Sequence, residues 1–501
     1  MTASLPRCLT VVVTALSVAL LVGCAGGGAA GGGGGGDDEQ QNENVAPNDN
    51  GAGDDTQQNE NVAPNENGTD DDWPPVPGGE YYAPDRPRTN GVEYYVAPDG
   101  DDSNAGTIDA PWATIQHAAE VLEPGNIVYL RDGVYSEAVV TESSGTADAD
   151  ITFAAYPDER PIMDGTGVDA NNGFIVVHDY IVLQGLTIRN WPENAVWIEN
   201  AAFLYMADCE VYDVPYGVGA SYGTHDFVFD HVSAHDFDLY GFDVSPGDSD
   251  CYNGVFWHCL SHTGRDPEQN VDGFALGHGT QHNFWLYRCE TYGVYDGFDI
   301  SSGDTLLEGC SAHHCGNAGF KLWQDNVRLV NCLGYESQGA NVELDWDGDG
   351  GTVTIRNCTF VGSDTFNIWV ENSGDTLQMY NTIMAGGRNI GLAFEERDAS
   401  RYQGDYNLFQ NETGRAFVVG YEDEFSTEPL DGWRNYSGQD ANSVSASTVA
   451  ELFVDPAGFD FHLLDGSPAA DAGMSDDAPT EDYDGATRPQ GTAVDIGAFE
   501  G

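Results

Sequence analysis

Lys321 is the only lysine in the chain; every other Lys/Arg position is an arginine. Arginine could hold a charge there equally well, but it cannot be deprotonated, so only a lysine could serve as a base. Asp272, Asp296 and Asp299 precede it and Glu343 follows. The three aspartates are hard oxygen donors, which suit Ca²⁺ better than zinc or copper. Two plainer readings stay open. Lys321 could simply pair with Asp299 and Glu343 across neighbouring strands, and Asp-Gly is a common turn pair.

Whether these residues meet depends on the elements that carry them. The middle of the chain repeats itself: Met206-Ala-Asp-Cys209, Phe229-Asp-His-Val232, Phe256-Trp-His-Cys259, Leu286-Tyr-Arg-Cys289, Leu307-Glu-Gly-Cys310, Leu329-Val-Asn-Cys332 and Ile355-Arg-Asn-Cys358, spaced 21 to 30 residues apart. Most copies are followed by a second short segment, such as Gly273-Phe-Ala-Leu276, Gly297-Phe-Asp-Ile300 or Gly319-Phe-Lys-Leu322. Each segment alternates apolar and polar residues between Gly, Asn or Asp, as short strands do. No helical pattern separates them, and a propeller blade would need about twice the length. The pattern predicts a right-handed parallel β-helix, in which each coil adds core lengthwise and rungs stack about 4.8 Å apart.

Alternation then assigns the faces. Phe298 and Ile300 point inward, so Asp299 points out. The same rule gives an outward column of Gly219, Asp243, Ala275, Asp299, Lys321, Glu343 and Trp369, and a second column of Tyr216, Tyr240, Asp272 and Asp296. Asp272, Asp296 and Asp299 thus fall within about two rungs of each other, next to Lys321. Cys209, Cys259, Cys289, Cys310, Cys332 and Cys358 form an inward column of small apolar residues; Cys251 and Cys315 lie off it, and their pairing is open.

The stretch from Asn270-Val-Asp-Gly-Phe-Ala275 through Asp296-Gly-Phe-Asp299 to Gly319-Phe-Lys321 resembles polysaccharide lyase family 9, the pectate lyase-like right-handed parallel β-helix proteins. The resemblance implies Asp272, Asp296 and Asp299 as calcium ligands and Lys321 as proton abstractor. Where the family pattern has a further aspartate, just before Asp296, this chain has Tyr295. The implied reaction is β-elimination on an acidic polysaccharide, with Ca²⁺ as cofactor and an alkaline optimum. Asp243 is a candidate replacement for the lost aspartate.

Other candidates lie on or near this face. His258, His262, His278, His282, His313 and His314 could supply a different base. Asp299 with Glu343 could form the paired carboxylates of a glycosidase. Trp323, Trp369 and Trp346 could stack on sugar rings, and with Glu343 they are the expected substrate contacts. Asp345-Trp-Asp347-Gly-Asp349-Gly starts like a calcium loop, but its twelfth position is Arg356. A non-catalytic glycan-binding or adhesin role is the alternative from outside enzymology.

The ends set the expected compartment. Residues 1–24 read as a secretory signal, with an apolar run from Leu9 to Val22 that is short for a membrane span and a lipobox-like Leu21-Val-Gly-Cys24. Cys24 is the expected lipid attachment point, giving an exported chain anchored to the bacterial envelope at the surface or on the periplasmic face of the outer membrane. Residues 25–90 read as a flexible acidic linker in which Asp37–Gly53 is nearly repeated by Asp54–Asp70. The β-helix is expected over 91–430, with a capping helix within Trp112–Leu122, and C-terminal coils and a cap over 431–501. A net charge of −66 excludes nucleic acid as a partner, and a monomer is expected.

Overall fold

The computed structural model describes residues 87–501 except 268, 278–279, 345–350, 372–375, 388–389, 396–398, 411–416, 420–424 and 427–429. Cys24, the repeated linker, His278, Trp346 and the Asp345–Asp349 turn lie outside the described residues.

Short strands stack in three parallel ladders, one strand of each per coil. The first ladder holds thirteen strands, from Glu93–Val96 to Tyr402–Asp405. The second runs through strands such as Leu260–His262, Glu290–Tyr292 and Ser311–His313, and the third through Asp272–Leu276, Asp296–Ile300 and Phe320–Leu322. Two long strands, Glu210–Ser221 and Ser233–Val244, pass through both the second and third ladders. This is a parallel β-helix.

The core follows from strand alternation. In the third ladder Phe242, Phe274, Phe298 and Phe320 are fully buried, with successive ring centroids 4.7, 4.9 and 5.1 Å apart and planes within 16° of parallel. Stacked aromatics hold each rung in register, because a slip by one residue would turn every side chain to the other face. The cysteine column is buried, and among the described residues all eight cysteines are free thiols, Cys251 and Cys315 included. Thiols of the column meet carbonyls of the coil below: Cys289 donates to Phe256 at 3.2 Å, Cys310 to Leu286 at 3.2 Å and Cys332 to Leu307 at 3.3 Å.

A helix, Ile115–Val121, buries Ile115, Ala118 and Ala119 in the same core as Val96 and Val128. It is shorter than its spacing predicts, because Trp112 pairs with Val96 as an isolated bridge and the Thr114 side chain caps the helix. After Val444–Ala446, the final rung of the second ladder, the chain forms an antiparallel pair (Phe453–Asp455 with Asp460–Leu463). It then folds back along the outside of the helix, burying Phe461, Ile496 and Phe499 against Leu333, Val361 and Ile383. Asn331, Asn357 and Asn381 tie this return segment down through the carbonyls of Glu481, Asp495 and Met474.

Candidate active site

The third ladder presents the charged column. Ala275, Asp299, Lys321, Glu343 and Trp369 are successive register partners, and Tyr240, Asp272 and Asp296 pair in the neighbouring column. The inward phenylalanines leave the residue after each of them no direction but outward. The backbone register therefore brings the sequence-predicted aspartates and the lysine together.

Asp296 is fully buried and fixed: one carboxylate oxygen accepts from the Asn317 amide at 2.8 Å and from the Ala318 backbone at 2.9 Å. Its other oxygen lies 3.5 Å from the Lys321 ammonium. The same ammonium stands 4.6 Å from the centre of the Trp323 ring. Asp272 is 1% exposed; one oxygen receives a long contact from the Asn270 amide at 3.4 Å, and Oδ1 has no hydrogen-bond partner among the described residues.

Charge crowding shows in the proton affinities. Burial, then the charges of Asp299 and Asp296, push the Asp272 carboxyl up to about 8. Burial alone would lower the Lys321 ammonium, yet Asp296, Asp299, Glu343 and Asp272 outweigh it and hold the lysine at about 12. Two rungs below Asp299, Asp243 is raised by burial to about 6, and among the described residues its oxygens accept from Ser245, at 2.7 Å. Tyr240, between these acids, is pushed by burial and by Asp272 to about 12.

Four carboxyl groups therefore surround one ammonium, and among the described residues Asp272 Oδ1 has no donor. That excess of desolvated negative charge fits a bound hard cation. Among the described residues no three such side chains already converge as a finished metal cage.

The other candidates separate. Trp323 contacts Lys321 from the strand end, Glu343 occupies the next rung and is nearly buried, and Trp369 follows it beside Phe366, their ring centroids 5.5 Å apart, before the column runs on to Ala393 and Val418. The histidines go elsewhere. His262 and His313 belong to an outward ring stack on the second ladder (Tyr212, His235, His262, Tyr292, His313, Tyr335) with successive centroids 4.6 to 5.0 Å apart. His258 stacks on His231, His282 on Tyr252, and His314 meets Phe459. None of these described histidines joins the carboxylate column, which leaves the lysine as the described nitrogen base on it.

The column extends beyond the residues that alternation assigns from Gly219 to Trp369. Trp197, in strand Asn194–Glu199, pairs with Gly219 one coil earlier, and the register runs on from it to Ile175 and Val140. Its segment lacks the Gly-Phe-Asp signature; extending the alternation past Gly219 would have found it.

A family model described as the Pel9A-like right handed beta helix region matches residues 94–376. The chain belongs to the Pel9A-like right-handed β-helix family. The matched span takes in every strand from Trp197 to Trp369. Pectate lyase PEL9 of Emericella nidulans is 30% identical over 220 residues, covering 43% of this chain and 50% of that protein, so this alignment spans half of the relative's length. Pectate lyase L of Dickeya dadantii is 23% identical over 329 residues, covering 62% and 69%. The crystal structure of pectate lyase Pel9A shares the fold, with a TM-score of 0.53 and 17% identity over 81% of this chain and 96% of that one.

Proposed function

We propose that this chain is a polysaccharide lyase acting on a pectate-like, uronic-acid-containing glycan, with Lys321 as the base and Asp272, Asp296 and Asp299 as holders of Ca²⁺. The observation that carries the reading is the lone lysine, its ammonium 3.5 Å from buried Asp296 on an outward column of acids. Similarity to two pectate lyases supports it.

The residues would work as follows. The neutral Lys321 amine takes the proton from the carbon next to the uronate carboxylate. The C–H electron pair becomes a carbon–carbon double bond, and the glycosidic C–O bond breaks with its electrons on oxygen. That oxygen gains a proton, leaving one unsaturated uronate end and one new reducing end. Asp296, locked by Asn317 and Ala318, orients the lysine. Bound Ca²⁺ would offset the carboxylates, favour neutral lysine and engage the substrate's carboxylate. Asp243, in the same column as Asp299, is a candidate extra ligand where Tyr295 stands in the family's aspartate position.

The deciding assay is the ultraviolet absorbance of unsaturated uronate, measured on pectate, alginate and glycosaminoglycans with calcium or chelator. A calcium-dependent rise on one of them is the expected result. Cleavage without the new double bond would instead favour the paired-acid hydrolase reading, and binding without cleavage the adhesin reading.

Export and lipid anchoring at Cys24 are part of the same proposal. The test is incorporation of a clickable fatty acid in a bacterial host, lost on Cys24→Ser. No helix among the described residues is long and apolar enough to cross a membrane.

A further inference from the structure

Four rungs before Asp299 on the same column, an indole leans against a glycine. A Cβ added to Gly219 would come within 2.7 and 2.9 Å of two carbons of the Trp197 ring and 2.9 Å of the Asn194 side-chain oxygen. The ring of Trp197 therefore leans one rung along the column, toward the carboxylates, and covers the bare backbone of Gly219. Its Nε1–H reaches Glu199 at 3.3 Å, which pins the edge of the ring. The residue is half-buried on the outer face of the helix. The six-membered ring of the indole rests against Gly219, and the side chain is partly open to solvent.

We infer that Trp197 is a remote sugar-stacking platform for the same polymer that is cut at Lys321, so that the acidic glycan lies along the helix axis over this column. The inference rests on the proposed lyase reading and adds to it the path of the chain and a distal binding position. Three observations carry it. The column from Trp197 to Asp299 is continuous in register through Gly219, Asp243 and Ala275. Gly219 and Ala275 are small, which leaves the strip low between the indole and the acids. Tyr216 and Tyr240 line its flank, half-buried, with ring centroids 5.7 Å apart.

The span sets the length of ligand. Four rungs at about 4.8 Å place Trp197 roughly 19 Å from Asp299. A pyranose in an extended chain advances by a similar distance to one rung. A trisaccharide bound at the lysine cannot reach the indole, whereas an octasaccharide can. Binding at a remote platform holds the polymer without touching the reacting atoms. An aromatic face suits this task because it meets the C–H face of a sugar ring while leaving the hydroxyls and carboxylates wet.

The test uses the full chain with calcium, and Trp197→Ala and Gly219→Ala. The second variant keeps the indole but lifts it, and it carries no backbone strain because Gly219 has no positive φ. On octagalacturonate both variants should lose about tenfold in kcat/KM, with the loss in KM, while trigalacturonate is cut as fast as by wild type. Equal rates on the octamer, or equal losses on both lengths, would overturn the platform. If wild type cuts neither, the lyase reading fails separately. Affinity electrophoresis in polygalacturonate gels then decides the platform alone: it stands if wild type is retarded more than Trp197→Ala, and falls if the two run alike.

Discussion

Lys321 and Asp272 make opposite demands on pH. The lysine's proton is held more tightly than usual, at about 12, so the neutral base is scarce below that pH. Activity should therefore climb through the alkaline range, and added calcium should shift the rising limb of the kcat/KM profile to lower pH. A limb that calcium leaves in place would count against a cation beside the lysine. Lys321→Arg keeps the charge and removes the base. Turnover should fall by about 10²–10⁴-fold with calcium binding and melting temperature unchanged. Asp272 carries the stability side. Its carboxyl rises from 3.8 to about 8 in the fold, so protonated Asp272 favours folding and this benefit fades as pH climbs from 3.8 through 8. The penalty at neutral pH is on the order of a few kcal/mol. Asp272→Asn should accordingly raise the melting temperature in chelator at pH 8 and abolish the rise that calcium gives wild type, both read by differential scanning calorimetry.

At the scale of elements, the outward column was legible because alternation is a local rule and the Gly-Phe-x-hydrophobic segments declare their inward residues. Gly219, Asp243, Ala275, Asp299, Lys321, Glu343 and Trp369 follow one another in the register that the alternation predicts. What stayed illegible depends on contacts between distant segments. No spacing says that His262 and His313 stack with tyrosines on a different ladder, or that Trp197 lies over Gly219. The family resemblance named roles for Lys321 and the aspartates, but alternation alone could only set them side by side. The phenylalanine stack offers a test of this coupling. Phe298→Ala should cost about 3–5 kcal/mol of stability in denaturant unfolding. It should also impair catalysis more than an equally destabilising change at the distant coil ends, because Asp299 is the next residue along the strand.

For the molecule as a whole, the return segment and the charge matter most. Arg488 and Glu500 form a fully buried ion pair at 2.7 Å within the C-terminal segment, and Arg488 also reaches the carbonyl of Gly497 and the side chain of Asn331. Breaking one partner strands the other without water. Arg488→Met should cost about 3–5 kcal/mol, and the double change with Glu500→Gln should recover part of that in an unfolding cycle. Nothing in the repeat pattern announced this return: it has no repeat of its own and reads as more coil until its contacts are seen. The buried cysteine column has a consequence of a different kind. From Cys209 to Cys358 it gives six coils a thiol apiece, each shielded from solvent and unpaired, so every marked coil carries its own opening reporter. Pulsed alkylation followed by peptide mass spectrometry would read which coils fray first, turning a packing feature into a map of local cooperativity along the solenoid.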